Sequence, residues 1–186
     1  TFAAGINVAF GNGLGTVGAD FNDDGLTDLF VANDMMVNQL WLNQGNLRFK
    51  DESLLWGVAL DEHGVAKAGM GVAAADYDDD DDTDLLVVNL KEQTDSFFRN
   101  EGKYFVDVTR EVGLAAPSVR HTRFGVALAD FNNDGSLDLY EANGRIESSN
   151  PAVANFDEPN LLFKGTRDGK RFHFDQVTPQ GGVSAP

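Results

Sequence analysis

DFNDDGLTD at residues 20–28 returns as DYDDDDDTD at 76–84 and as DFNNDGSLD at 130–138, so the three copies start 56 and then 54 residues apart. The likeness extends outward from the acidic core. A glycine stands five residues before each first Asp (Gly15, Gly71, Gly125), and an asparagine stands five residues after each last one (Asn33, Asn89, Asn143). A period near 55 with this much shared detail marks a supersecondary unit written three times. In the second copy four short β-type runs can be marked, Gly71–Ala75, Leu85–Asn89, Phe97–Arg99 and Tyr104–Val108, each bounded by Gly, Asn or Asp. Four strands per period predict an all-β chain of four-stranded antiparallel β-propeller blades, because helical solenoids need amphipathic stretches that this sequence lacks.

The blade boundaries follow from the register. Residues 1–13 read as the end of a preceding blade, since TFAAGI resembles Val112-Gly113-Leu114; 14–60, 61–116 and 117–186 then read as three blades, with Val177–Pro186 as another blade end. Propellers close with four to eight blades. Three blades are therefore expected to be a segment of a larger ring, or to leave sheet edges open to neighbouring chains.

In D-x-[DN]-x-[DN]-G-x-x-D, the oxygens at positions 1, 3, 5 and 9 and the carbonyl at 7 can converge on one hard cation, while Gly at 6 supplies a tight turn. An all-oxygen set of this kind suits Ca2+. The predicted ligands are Asp20, Asn22, Asp24, Leu26 (carbonyl) and Asp28; Asp76, Asp78, Asp80, Asp82 (carbonyl) and Asp84; Asp130, Asn132, Asp134, Ser136 (carbonyl) and Asp138. Up to three ions are expected. A solvated acidic turn is the alternative for any single loop, but three in register, holding 14 of the 30 acidic residues, would repel themselves without a counter-ion. Asp81 stands where the other loops have Gly25 and Gly135, which makes the second site the weakest expectation. An EF-hand is excluded by context, because Leu-Phe-Val, Leu-Leu-Val-Val and Leu-Tyr-Glu follow the loops where a helix would be needed.

The stretches GMGVAAADYDDDDDTDLLVVN (69–89), FGVALADFNNDGSLDLYEANG (124–144) and EPNLLFKGTRDGKRFHFDQVT (158–178) resemble FG-GAP/VCBS repeats, of the ASPIC/UnbV (CRTAC-like) type. The resemblance covers nearly the whole chain. It implies a propeller, commonly seven-bladed, with Ca2+ in the hairpin between the first two strands of a blade, and an exported adhesive or scaffolding role at the cell surface, outside the cell or in the periplasm. It does not imply one activity.

Composition narrows the partners. With 14 Lys+Arg against 30 Asp+Glu the formal charge is −16, which disfavours nucleic acid and anionic membranes. No run of about 20 apolar residues exists to span a bilayer. The absence of cysteine excludes disulfides and thiolate chemistry. The chain opens at Thr1 without Met, as a processed export product or a piece of a longer chain would.

If the metal loops join strands 1 and 2, the 2–3 and blade-to-blade connections share the opposite face. The 2–3 connections run to the aligned aromatics Trp41, Phe98 and Phe163, and the third is extended by Gly144–Pro159. His63, Lys67, Arg120, His121, Arg123 and Arg145 fall on this face as candidate ligand-binding residues for a protein or a glycan, against the alternative that the cations pair with nearby carboxylates. Arg120, His121 and Arg123 are also the sole cluster that could serve a polysaccharide lyase or a glycan-binding propeller. Gly13-Leu-Gly15-Thr-Val-Gly18 matches a dinucleotide fingerprint as a string, but an acidic turn follows it instead of a helix. No catalytic triad can be assembled around His63, His121 and His173. Trp56 reads as core or as a sugar platform.

Overall fold

The computed structural model describes residues 4–6, 11–146, 158–169 and 171–178. Three four-stranded antiparallel sheets follow one another along the chain, each wound in simple sequence order. Blade 1 is β1 (Gly13–Ala19), β2 (Asp28–Asn33), β3 (Gln39–Asn43) and β4 (Phe49–Asp51). Blade 2 is β5 (Gly69–Ala75), β6 (Asp84–Asn89), β7 (Ser96–Asn100) and β8 (Phe105–Asp107). Blade 3 is β9 (Thr122–Ala129), β10 (Asp138–Gly144), β11 (Leu161–Asp168) and β12 (Arg171–Gln176). These are the blades of a propeller. The four runs marked in the second copy all coincide with strands. One turn of helix, α1 (Ala115–Ser118), interrupts the crossover from blade 2 to blade 3. It is anchored by buried Leu114 and Ser118. No helix among the described residues is long and apolar enough to cross a membrane.

Alternation along the strands builds two cores. In β6 every residue is buried, because the sheet is covered on both faces. Leu85 and Val87 turn toward blade 1, packing with Phe21, Phe30, Leu40 and Trp56. Leu86 and Val88 turn the other way, joining Tyr77, Phe97, Leu139, Phe163, Phe172 and Phe174 at the junction with blade 3. Edge-on aromatic packing tightens the second core: the Tyr77 ring lies 4.6 Å from Phe97 and 5.0 Å from Phe172. Each such side chain, fully buried, contributes about 1.5–3 kcal/mol. The aligned aromatics take equivalent places, with Trp41, Phe98 and Phe163 paired across from Leu29, Leu85 and Leu139. Trp56 is core.

The repeat glycine ahead of the first two acidic loops is fixed by backbone contact between blades. A Cβ on Gly15 would overlap the carbonyl oxygen of Met70, and one on Gly71 would lie 2.5 Å from that of Phe124. Innermost strands β1, β5 and β9 therefore touch backbone to backbone. Gly125 meets only the Ala142 methyl, at 3.3 Å. Phe131 repeats the difference: Phe21 and Tyr77, its counterparts, are 1% and 3% exposed, and Phe131 is 50% exposed. At the other end, Gly5 sits on the Phe49 carbonyl oxygen as Gly57 sits on that of Phe105. Ala4–Ile6 thus occupy the place that the end of blade 1 takes on blade 2. Most of the extension expected at Gly144–Pro159, and the blade end expected over Val177–Pro186 from 179 on, lie outside the described residues.

Candidate metal centres

Each acidic loop joins the first two strands of its blade, Asp20–Asp28 between β1 and β2, Asp76–Asp84 between β5 and β6, and Asp130–Asp138 between β9 and β10. One hydrogen-bond scheme is written three times. The first Asp accepts from two amides: Asp20 from Asp24 (3.2 Å) and Gly25 (2.7 Å), Asp76 from Asp80 (3.2 Å) and Asp81 (3.0 Å), Asp130 from Asp134 (3.0 Å) and Gly135 (2.9 Å). The carboxylate at position 5 accepts the amide at position 7: Leu26 to Asp24, Asp82 to Asp80 and Ser136 to Asp134, at 2.9, 3.0 and 3.1 Å. These bonds curl the backbone so that the side chains at 1, 3 and 5 ring one space, as Asx turns do.

The last Asp has a second task that the motif does not announce. Asp28, Asp84 and Asp138 are buried. One oxygen of each takes the amide of position 2: Phe21 (3.0 Å), Tyr77 (3.1 Å) and Phe131 (3.0 Å). The other takes an amide of the third strand: Asn43 (2.7 Å), Asn100 (2.7 Å) and Gly165 (3.0 Å). Each therefore staples its hairpin to strand 3, with lone pairs left for a cation. Asn43 and Asn100 reinforce the staple by donating to the carbonyls of Thr27 (2.9 Å) and Thr83 (3.1 Å). Their shared place, two residues after Trp41 and Phe98, was the signal available in the sequence.

The second loop, expected to be weakest, brings its carboxylates together. Oxygens of Asp76, Asp78 and Asp84 lie within 4.8 Å of one another. A Ca2+ ion with ligands at 2.3–2.6 Å spaces opposite oxygens by up to about 5 Å. Asp81 adopts the left-handed turn that glycine makes elsewhere, at φ 73° against 81° for Gly25 and 89° for Gly135. The substitution thus adds strain without changing the loop's path. Burial pushes Asp84 up to about 8 against two amide hydrogen bonds that pull it down, and burial with neighbouring Asp80 and Asp76 pushes Asp78 up to about 6. Asp78 Oδ1 is buried with no hydrogen-bond partner among the described residues. The donor set therefore fits a hard divalent cation: all oxygen, crowded with carboxylate, and short of donors.

Cations from the next strand or blade attend the loops. Arg167 of β11 pairs with Asp79 and donates to the Tyr77 carbonyl at 2.7 Å, so blade 3 holds the loop of blade 2. Lys164 pairs with Asp134 at 2.9 Å. Sequence spacing did not single out either residue, because the contacts depend on how strands lie side by side.

On the opposite face the predicted ligand residues separate. His63 and Lys67 line a cavity of about 220 Å³ at the first junction. There Lys67 Nζ is spent on Thr94 Oγ1 (2.9 Å), the Asp95 carbonyl (3.2 Å) and Ser96 Oγ (3.0 Å), and burial lowers its pKa. Arg120 and His121 line a second cavity of about 390 Å³ between the end of blade 2 and blade 3. The His121 ring and the Arg145 guanidinium approach the buried carboxylate of Glu158 at 3.8 and 3.5 Å. Arg123 corrects the expectation of a surface ligand residue. It is fully buried, 2.7 Å from Asp95, because it lies at the packed start of β9. Glu62, which pairs with Arg110 at 2.8 Å and lies 3.5 Å from His63, completes the pattern.

The sequence matches the family described as FG-GAP-like repeat over residues 20–87 and again over 76–141. It is similar to cartilage acidic protein 1 of Xenopus tropicalis, 26% identical over 188 residues, covering 96% of this chain and 26% of that protein. The mouse (Mus musculus) and human (Homo sapiens) proteins of the same name are 27% and 26% identical over 152 residues, covering 76% of this chain and 22% of each. The chain thus spans about a quarter of the length of these relatives.

Proposed function

Because the chain belongs to the family of FG-GAP-like repeats, we propose that it is a calcium-binding propeller module of an exported protein, in which Ca2+ is structural and the opposite face serves adhesion, ligand binding or assembly. The observation that carries this reading is the threefold recurrence of one loop geometry, with oxygens of Asp76, Asp78 and Asp84 already gathered in the second copy. Asp20, Asn22, Asp24 and Asp28, their counterparts in the other two loops, and the carbonyls of Leu26, Asp82 and Ser136 would hold the ion. Bound Ca2+ would neutralise carboxylates and hold each hairpin against its third strand; three ions would take the formal charge from −16 to −10.

Gly125 and the half-exposed Phe131 support the reading of the chain as part of a larger ring, because their counterparts are covered by the next blade. On the opposite face, the cavities at the two junctions, walled by His63 and Lys67 and by Arg120 and His121, are the places for a protein or glycan contact. The lyase alternative is weakened because buried Arg123 cannot meet an acidic sugar.

Calcium titration by calorimetry, with melting in Ca2+ and in EDTA, tests the central point. At the affinity of extracellular modules, millimolar Ca2+ contributes roughly 0.4–1.4 kcal/mol per site. We expect saturable binding at up to three sites and a melting temperature lower in EDTA by several degrees. Identical melts and no binding heat would overturn the reading.

A further inference from the structure

The three positions that meet at the second junction are neutral at the first. Where blade 1 has Asn38, blade 2 has Asp95, and the residue keeps its place immediately before the third strand. Where blades 1 and 2 have Gly13 and Gly69, blade 3 has Arg123, since all three pair with the repeat asparagine of the second strand. Where they have Val31 and Val87, blade 3 has Glu141. At the first junction Gly69 packs on Asn38 and Asn33, where a Cβ would lie 3.2 Å from the Asn38 side-chain oxygen. At the second, three ionisable side chains fill the equivalent space, and all three are fully buried.

Arg123 Nε lies 2.7 Å from Asp95 Oδ1. Its other nitrogens hold the carbonyls of His121 and, at 2.9 Å, Gln93. Glu141 stands against Asp95, and neither of its oxygens has a donor among the described residues. Two carboxyls thus share one guanidinium. Lys67 Nζ meets Asp95 at its backbone carbonyl (3.2 Å) and not at its carboxyl, and the nearby Glu158 is occupied with His121, Arg145 and the Thr122 amide (2.8 Å). Among the described residues no second cation forms an ion pair with either carboxyl, and the Lys67 ammonium acts on Asp95 only from a distance.

We propose that Asp95, Arg123 and Glu141 form a lock that holds one proton between its two carboxyls, fastening blade 2 to blade 3 while the proton is bound and loosening that junction when it is released to water. The Glu141 hydroxyl then donates to Asp95, whose oxygens otherwise have no hydrogen-bond donor among the described residues. With the proton the site is balanced, one carboxylate against one guanidinium; without it, two buried negative charges face one positive. Burial raises both carboxyls, and Asp95 raises Glu141 further. Folding therefore favours the protonated form, and its contribution is complete below the ordinary carboxylate range and declines as pH rises through the folded value.

The test is melting from pH 5 to pH 9 at constant saturating Ca2+, with hydrogen exchange compared between residues 122–144 and 13–33 after correction for the intrinsic pH dependence. We expect protection of 122–144 to fall relative to 13–33 by about tenfold for each unit of pH through the transition, the effect of one linked proton. Glu141→Gln, whose amide supplies a permanent donor, should match the wild type at pH 5 and lose this dependence. The combination Asp95→Asn, Arg123→Gly and Glu141→Val, which copies the first junction, should fold and also be insensitive. An unchanged pH dependence in Glu141→Gln, or equal pH responses of the two segments in the wild type, would overturn the proposal.

Discussion

At one end of the sheets the three blades do the same thing, and at the other end each does something different. The acidic hairpins share one hydrogen-bond scheme down to the amide that meets each oxygen, despite differences at six of the nine loop positions. The connections on the opposite face share their course but not their chemistry. Lys67 clamps a loop, Arg123 is buried in an ion pair, and His121 and Arg145 lean on Glu158. A task common to every unit keeps the loops alike, while the places where units meet have taken on individual roles.

The largest effect should come from breaking a staple on the uniform side. Asp84→Ala strands the buried amides of Tyr77 and Asn100 and removes a metal ligand, for an expected loss of about 2–6 kcal/mol even without Ca2+. Lys67→Met, on the varied side, should cost less because that ammonium is only partly buried. Denaturant unfolding of both variants checks the ranking, and a smaller cost for Asp84→Ala would break the comparison.

A pH series sharpens it next. In the metal-free chain the raised values of Asp78, about 6, and Asp84, about 8, mean that their contribution is complete below the ordinary aspartate range. It is lost as pH rises through those two values. Melting in EDTA should therefore fall from pH 5 to pH 9. Ca2+ competes with these protons, so its apparent affinity should climb over the same interval and flatten the melting profile. A flat profile in EDTA would contradict the burial of these carboxyls. The smallest effect is expected from Asp81→Gly, which relieves the left-handed strain in the second loop and should stabilise it by about 0.5–1 kcal/mol, read as a small rise in melting temperature.

How much was legible follows the same division. The glycine, the nine-residue loop and the asparagine recur in sequence, and they placed the strands, the hairpins and the aligned aromatics. The stapling role of Asp28, Asp84 and Asp138 was hidden because their partners lie on the third strand, 15, 16 and 27 residues away. The burial of Arg123 was hidden for a related reason. Its partner Asp95 is set by lateral packing of two blades, and such pairing leaves little local pattern. The traces were the replacement of Asn38 and Asn160 by Asp95, of Gly13 and Gly69 by Arg123, and of Val31 and Val87 by Glu141. In the second loop, local propensity marked Asp81 as an obstacle, but the surrounding hydrogen bonds hold the backbone in its turn.

The glycines where the innermost strands touch have a consequence for how such a molecule can change. At Gly15 and Gly71 the closest contact is to a main-chain oxygen, of Met70 and of Phe124, which any residue at those two places would present. Duplicating or deleting one whole unit would leave an identical hinge behind, whereas adding a single methyl group at either position would wedge two units apart.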